Sequence, residues 1–219
     1  MASAPGPMND QLPDERPQRR REYSGAGSTL GLAALVILVV GAAIWWAELR
    51  PDDAPALGKD GTGVLDLPEG TNPTGKSPSA EEGRAAPNFR LAGRDGQLVT
   101  LSDYRGRWVL VNFWATWCPP CRDETPDLQE VYERNDGSLV VIGVNQQETP
   151  EQMTSFGDAF GVTYPLVLDR TGQVSQAYRV SRNLPVTFLV DPEGVIVEAF
   201  WGQVTMETLE RVEAEYLGT

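Results

Sequence analysis

The 219 residues carry 31 acidic and 18 basic side chains, a formal net charge of -13, no histidine and two cysteines. A field of that sign repels nucleic acid, and the missing histidine excludes Ser-His-Asp and Cys-His catalysis together with any histidine-ligated metal. Two thiols cannot close a four-thiolate zinc or iron–sulfur site within one chain.

Residues 1–28 are rich in Pro, Gly, Ser and charge without apolar periodicity, which predicts a disordered tail ending in Arg19, Arg20 and Arg21. Residues 29–47 are expected to form a single transmembrane anchor. From Leu30 to Ala47 no charge interrupts the chain, close to the ~20 residues that span a bilayer as helix. Trp45 and Trp46 stand at its far end, where indoles favour the interface. Arg16, Arg19, Arg20 and Arg21 precede the span, whereas Arg50 and Lys59 follow it, so the N-terminus is expected in the cytoplasm and the remainder outside. A cleaved signal peptide is the competing reading, although the run is long for one and ends in tryptophans instead of small residues. Residues 48–84 mix Gly, Pro and acidic side chains and predict a flexible, self-repelling linker. A folded domain is expected over 85–219.

Within that domain "NFRL" and "RDGQLVTL" predict a β-hairpin turning at Asp95-Gly96. "WVLVNFW" (108–114) and "SLVVIGVN" (138–145) are nearly continuous apolar runs, the pattern of strands buried on both faces. A helix follows Cys118, with prolines in its first turn and Leu128, Val131 and Tyr132 at helical spacing. A second helix is expected from about Glu148 to Phe160. "TYPLVL", "TFLV" and "VIVEAFW" read as further strands, "TGQVSQAY" as a short helix, and the end of the chain as an amphipathic helix facing inward through Leu209, Val212 and Tyr216. Strands alternating with helices predict an α/β fold, a mixed central sheet flanked by helices.

Both cysteines fall where a central strand becomes a helix. A Cys-x-x-Cys there places the first sulfur against unpaired amides and the positive end of the helix dipole, which favours the thiolate. Cys118 is therefore the expected nucleophile in disulfide exchange, and Cys121, one turn on, the resolving thiol. Pro119 and Pro120 have no N–H, which leaves the amides of Cys121 and Arg122 as the nearest donors to Cys118. Fewer donors leave the thiolate less favoured, and so predict a reductant. An inert staple is the alternative use of such a pair, but a loop this short constrains little of the unfolded chain.

At this point a family resemblance enters. "VLVNFWATWCPPC" resembles the active-site strand and turn of the thioredoxin superfamily, and "NLPVTFLVD" its cis-proline segment. The longer stretch "APNFRLAGRDGQLVTLSDYRGRWVLVNFWATWCPPC" is similar to TlpA/ResA-like membrane-anchored thiol-disulfide oxidoreductases. The resemblance covers about 85–219 and implies a thioredoxin-like fold. It implies a cis Pro185 over the disulfide, with Leu184 offering backbone hydrogen bonds to an extended substrate. Trp117, beside the nucleophile, is expected to shield it and line a docking surface; a place in the apolar rim of the fold is the alternative. Asn112 replaces the buried aspartate of thioredoxin itself. Glu124 stands where the ResA-like branch has a glutamate, and it is expected to exchange a proton with Cys121; a solvated helix-surface glutamate is the bland alternative. The resemblance further implies protein disulfide substrates, among them apocytochrome c. It also implies a membrane-embedded electron donor of the CcdA or DsbD kind, because the chain has no Gly-rich nucleotide loop. No cofactor is expected beyond the Cys118–Cys121 couple. Two rival readings are a peroxiredoxin-like thiol peroxidase and a non-enzymatic, redox-controlled binding domain. The first lacks the required loop proline and has Thr116 two residues before Cys118 instead of three.

Overall fold

The computed structural model describes residues 31, 34–41, 60–135 and 137–218. Residues 31 and 34–41 are helical, with the side chains of 35–40 exposed. The expected tail and most of the expected anchor lie outside the described residues. Among the described residues no helix is long and apolar enough to cross a membrane.

The remaining described residues build one mixed sheet. Its strands are β1 (Gly63–Leu65), β2 (Asn88–Gly93), β3 (Leu98–Thr100), β4 (Trp108–Trp114), β5 (Leu139–Gln146), β6 (Leu166–Asp169), β7 (Val186–Val190) and β8 (Ile196–Trp201). The order across the sheet is β1-β2-β6-β5-β4-β7-β8, with β3 paired to β2. Strand β4 lies centrally, parallel to β5 and antiparallel to β7. The apolar runs anticipated this, since both β4 and β5 are buried almost throughout. Side-chain alternation along β4 sends Leu110 and Trp114 into one core and Val109, Val111 and Phe113 into the other.

Helices cover both faces. On one lie α1 (Pro119–Arg134), α2 (Pro150–Ala159) and α4 (Met206–Val212); the short α3 (Gln173–Ala177) covers the other. Helix α1 buries Cys121, Glu124, Thr125, Leu128 and Val131, a single stripe at helical spacing. Helix α2 opens on a capping box in which Thr149 and Gln152 exchange side-chain-to-backbone bonds. The turn between β7 and β8 requires Gly194, whose φ of 87° lies in the left-handed region.

Residues 60–84 differ from the flexible linker expected of them. Strand β1 pairs antiparallel with β2, Gly63 facing Arg90 and Leu65 facing Asn88. Val64 packs on the same core as Phe89 and Tyr178. Farther along, the Gly83 N–H donates to the Ile196 carbonyl at 2.8 Å, and Ala85 bridges to Val195. A three-residue strand among Gly and Pro is too short to show periodicity; its partner, more than twenty residues away, creates it.

Candidate active site

Strand β4 ends at Trp114, and Ala115-Thr116-Trp117 turn the chain into α1 with Cys118 at its N-cap. The two sulfurs are bonded, with Cα atoms 5.3 Å apart. Both cysteines are almost fully buried. The Cys121 N–H donates to Cys118 Sγ at 3.3 Å. The Arg122 N–H instead donates to the Cys118 carbonyl, at 3.3 Å. Of the two amides the sequence offered, only that of Cys121 reaches the sulfur. The prolines occupy the first two helical positions, as their missing N–H groups allow.

Glu124 lies one turn beyond Cys121 and is wholly buried. Its Oε1 accepts from Asn112 Nδ2 at 2.7 Å, and its Oε2 accepts from the Val204 N–H at 2.9 Å. Asn112 also donates to Thr187 Oγ1 at 2.9 Å, so the carboxyl group ties α1 to β4 and β7 and to the loop before α4. Burial pushes its pKa up to about 7, with some repulsion from Asp127, and outweighs the two donors that favour the charge. A solvated surface glutamate does not fit this geometry.

The Leu184-Pro185 peptide bond is cis. Phe113 of β4 pairs with Val186 of β7, which places Pro185 level with the point where β4 runs on toward the cysteines. The Pro185 carbonyl accepts from the Gly202 N–H at 3.0 Å. Leu184 packs against the core that contains both cysteines. Trp117, by contrast, is 57% exposed, a large apolar surface beside a buried nucleophile.

One residue of the site was not anticipated. The Glu148 carboxylate accepts from the Thr116 N–H at 2.9 Å, from the Thr116 hydroxyl, and from Asn145 Nδ2 at 2.6 Å. It fastens the turn that presents Cys118 to the end of β5. Thr116 is therefore engaged away from the sulfur, unlike the threonine of a peroxide-binding loop. Glu148→Ala is expected to lower stability by about 2 kcal/mol, since it leaves the partly buried Thr116 and Asn145 donors unpaired. Urea denaturation of the oxidised protein measures it.

The arrangement is a dithiol/disulfide at a helix N-terminus, with a buried carboxyl group one turn behind and a cis-proline alongside. Comparison with known proteins agrees with it. The AhpC/TSA family pattern matches residues 83–199. Thiol-disulfide oxidoreductase ResA of Geobacillus kaustophilus is 41% identical over 131 residues, 59% of this chain and 74% of the relative. ResA of Bacillus subtilis is 41% identical over 128 residues, 58% of this chain and 71% of the relative. A crystal structure from Chlorobium tepidum, assigned as thiol:disulfide interchange protein DsbE, superposes with a TM-score of 0.57 at 29% identity, covering 63% of this chain and 96% of the other. By pattern, identity and fold together, the chain belongs to the AhpC/TSA family as a ResA-like thiol-disulfide oxidoreductase of the thioredoxin superfamily.

Proposed function

We propose that the protein is a membrane-anchored, extracytoplasmic reductant of protein disulfides. The observation that carries the direction of electron flow is the sparse donation to Cys118, one backbone N–H from Cys121. A thiolate with so little stabilisation gives up its electrons more readily than one facing several amides. Cys118 attacks the substrate disulfide; Cys121 then attacks the Cys118 sulfur and frees the second substrate thiol. Glu124, ionising near neutrality, takes the proton of Cys121 as it becomes the attacking thiolate. Leu184 and cis Pro185 hold the substrate backbone, and Trp117 borders the docking surface.

The uncharged run Leu30–Ala47, helical over 34–41 with exposed apolar side chains, supports the anchor. Arginines ahead of the run support a cytoplasmic N-terminus. The resemblance of residues 85–219 to TlpA/ResA-like oxidoreductases implies a role of the apocytochrome c maturation type, with electrons drawn from a membrane donor of the CcdA or DsbD kind. Equilibrating the full-length protein against glutathione tests the direction. A reduction potential at or below about -220 mV is expected, and one above about -180 mV overturns the reductant reading.

A further inference from the structure

A groove opens beside Trp117. A cavity of 690 Å³ is lined by Trp117, Gln146, Gln147, Arg170 and Arg182. A second, of 450 Å³, shares Gln146, Gln147 and Arg182 and continues past Arg179. Gln146 is anchored within it, its Nε2 donating to the Ser181 carbonyl at 3.1 Å. Among the described residues, the non-glycine backbones in the left-handed region are Gln147 (φ 56°) and Arg179 (φ 57°), and both line this groove. Such conformations cost free energy and gather where a chain must hold a functional shape.

The groove is cationic on a protein of net charge -13. Arg179 pairs with Glu81 at 2.7 Å. Arg170 and Arg182 are exposed, and among the described residues neither has a carboxylate oxygen within 4 Å. Two carboxylates near the ends of β5 and β6 are engaged within the fold. Glu148 is held by Thr116 and Asn145, and Asp169 Oδ2 accepts from the Ser175 N–H and hydroxyl at 2.7 and 2.8 Å. Asp60 and Glu151 feel Arg170 through space without pairing to it.

We propose that this groove docks an extended acidic stretch of the substrate protein next to its reactive cysteine, carboxylates meeting Arg170 and Arg182 and backbone meeting the amides of Gln146 and Gln147. The inference rests on protein disulfides being the substrate. Placing the cationic groove against Trp117 lets one bound segment hold its sulfur near Cys118 while the overall acidic field discourages unselective partners.

Two octapeptides test this, each with one central cysteine held as a mixed disulfide with 2-mercaptoethanol, one flanked by glutamates and the other by lysines. The neutral 2-hydroxyethyl disulfide serves as the reference. In each reaction the reduced protein gives two electrons to the probe, which leaves as two thiols while Cys118 and Cys121 become the disulfide. With full-length protein at low salt, the acidic peptide is expected to react about five-fold faster than the basic one, a difference that shrinks in 0.5 M salt. In the Arg170→Gln/Arg182→Gln double variant the ratio of acidic-peptide rate to reference rate falls by a similar factor. Equal peptide rates, or a basic preference, alongside brisk turnover of the reference overturn the docking site alone. No reaction with any of the three probes overturns the disulfide-exchange reading together with it.

Discussion

Cys118→Ser is expected to reduce disulfide exchange at least about 10³-fold, whereas Cys121→Ser accumulates a covalent complex with the substrate. The difference follows from order of action. In the proposed mechanism Cys118, which caps α1 and accepts the Cys121 N–H at its sulfur, is the residue that attacks. Without it no mixed disulfide forms. Without Cys121 the mixed disulfide forms and has no internal thiol to resolve it. The fold survives both changes, since a loop of this length contributes only about 2 kcal/mol through the unfolded chain. Mass spectrometry of the trapped complex reads the second variant, and circular dichroism confirms folding of the first. A non-enzymatic binding domain predicts the opposite, with function intact after Cys118→Ser.

The second large effect belongs to Glu124. Its carboxyl group ionises near 4.5 when unfolded and at about 7 in the native protein, so between those values the native state holds the extra proton. Stability therefore falls as pH rises through 7, by roughly 3 kcal/mol for this displacement. The chain is unusually suited to showing it. It has no histidine, and in the oxidised state neither cysteine titrates. Among the described residues, Asp60, Glu151 and Glu213 are displaced downward, away from this window. Resistance of the oxidised wild type to denaturation is expected to fall from pH 5 to pH 8, and in Glu124→Gln that slope is expected to vanish. The same variant should slow resolution of the mixed disulfide about 10²-fold, the low end of what a positioned proton acceptor supplies. A flat pH profile in the wild type would mean that the carboxyl group is not held protonated by its surroundings.

Much of this site is legible in the sequence. The buried runs of β4 and β5 are continuous in the sequence, and prolines after Cys118 can only open a helix. Even the burial of Glu124 could be read, because it lies three residues from Cys121 and four from Leu128 on the inward stripe of α1. What stayed hidden depends on chain segments meeting from afar. Glu148 gains its meaning from Thr116, thirty-two residues away, and Asn112 bonds Thr187 across seventy-five. Local pattern registers none of these pairings. The groove arginines look like any solvated cations until the fold sets Arg170 and Arg182 along one cavity with Trp117.

Strand β1 has a bearing on how far the catalytic domain can travel. With the proposed anchor ending at Ala47, a loose segment through residue 84 would be a leash of about 37 residues, able to reach about 125 Å when stretched. Because Gly63–Leu65 is stitched to Asn88–Arg90, only about 15 residues separate Ala47 from β1, a reach of about 50 Å. Were the proposed anchor to hold the chain at a bilayer, the shorter leash would concentrate the dithiol in a thin layer over it, raising its encounter rate with the proposed membrane donor and lowering it with disulfides farther out.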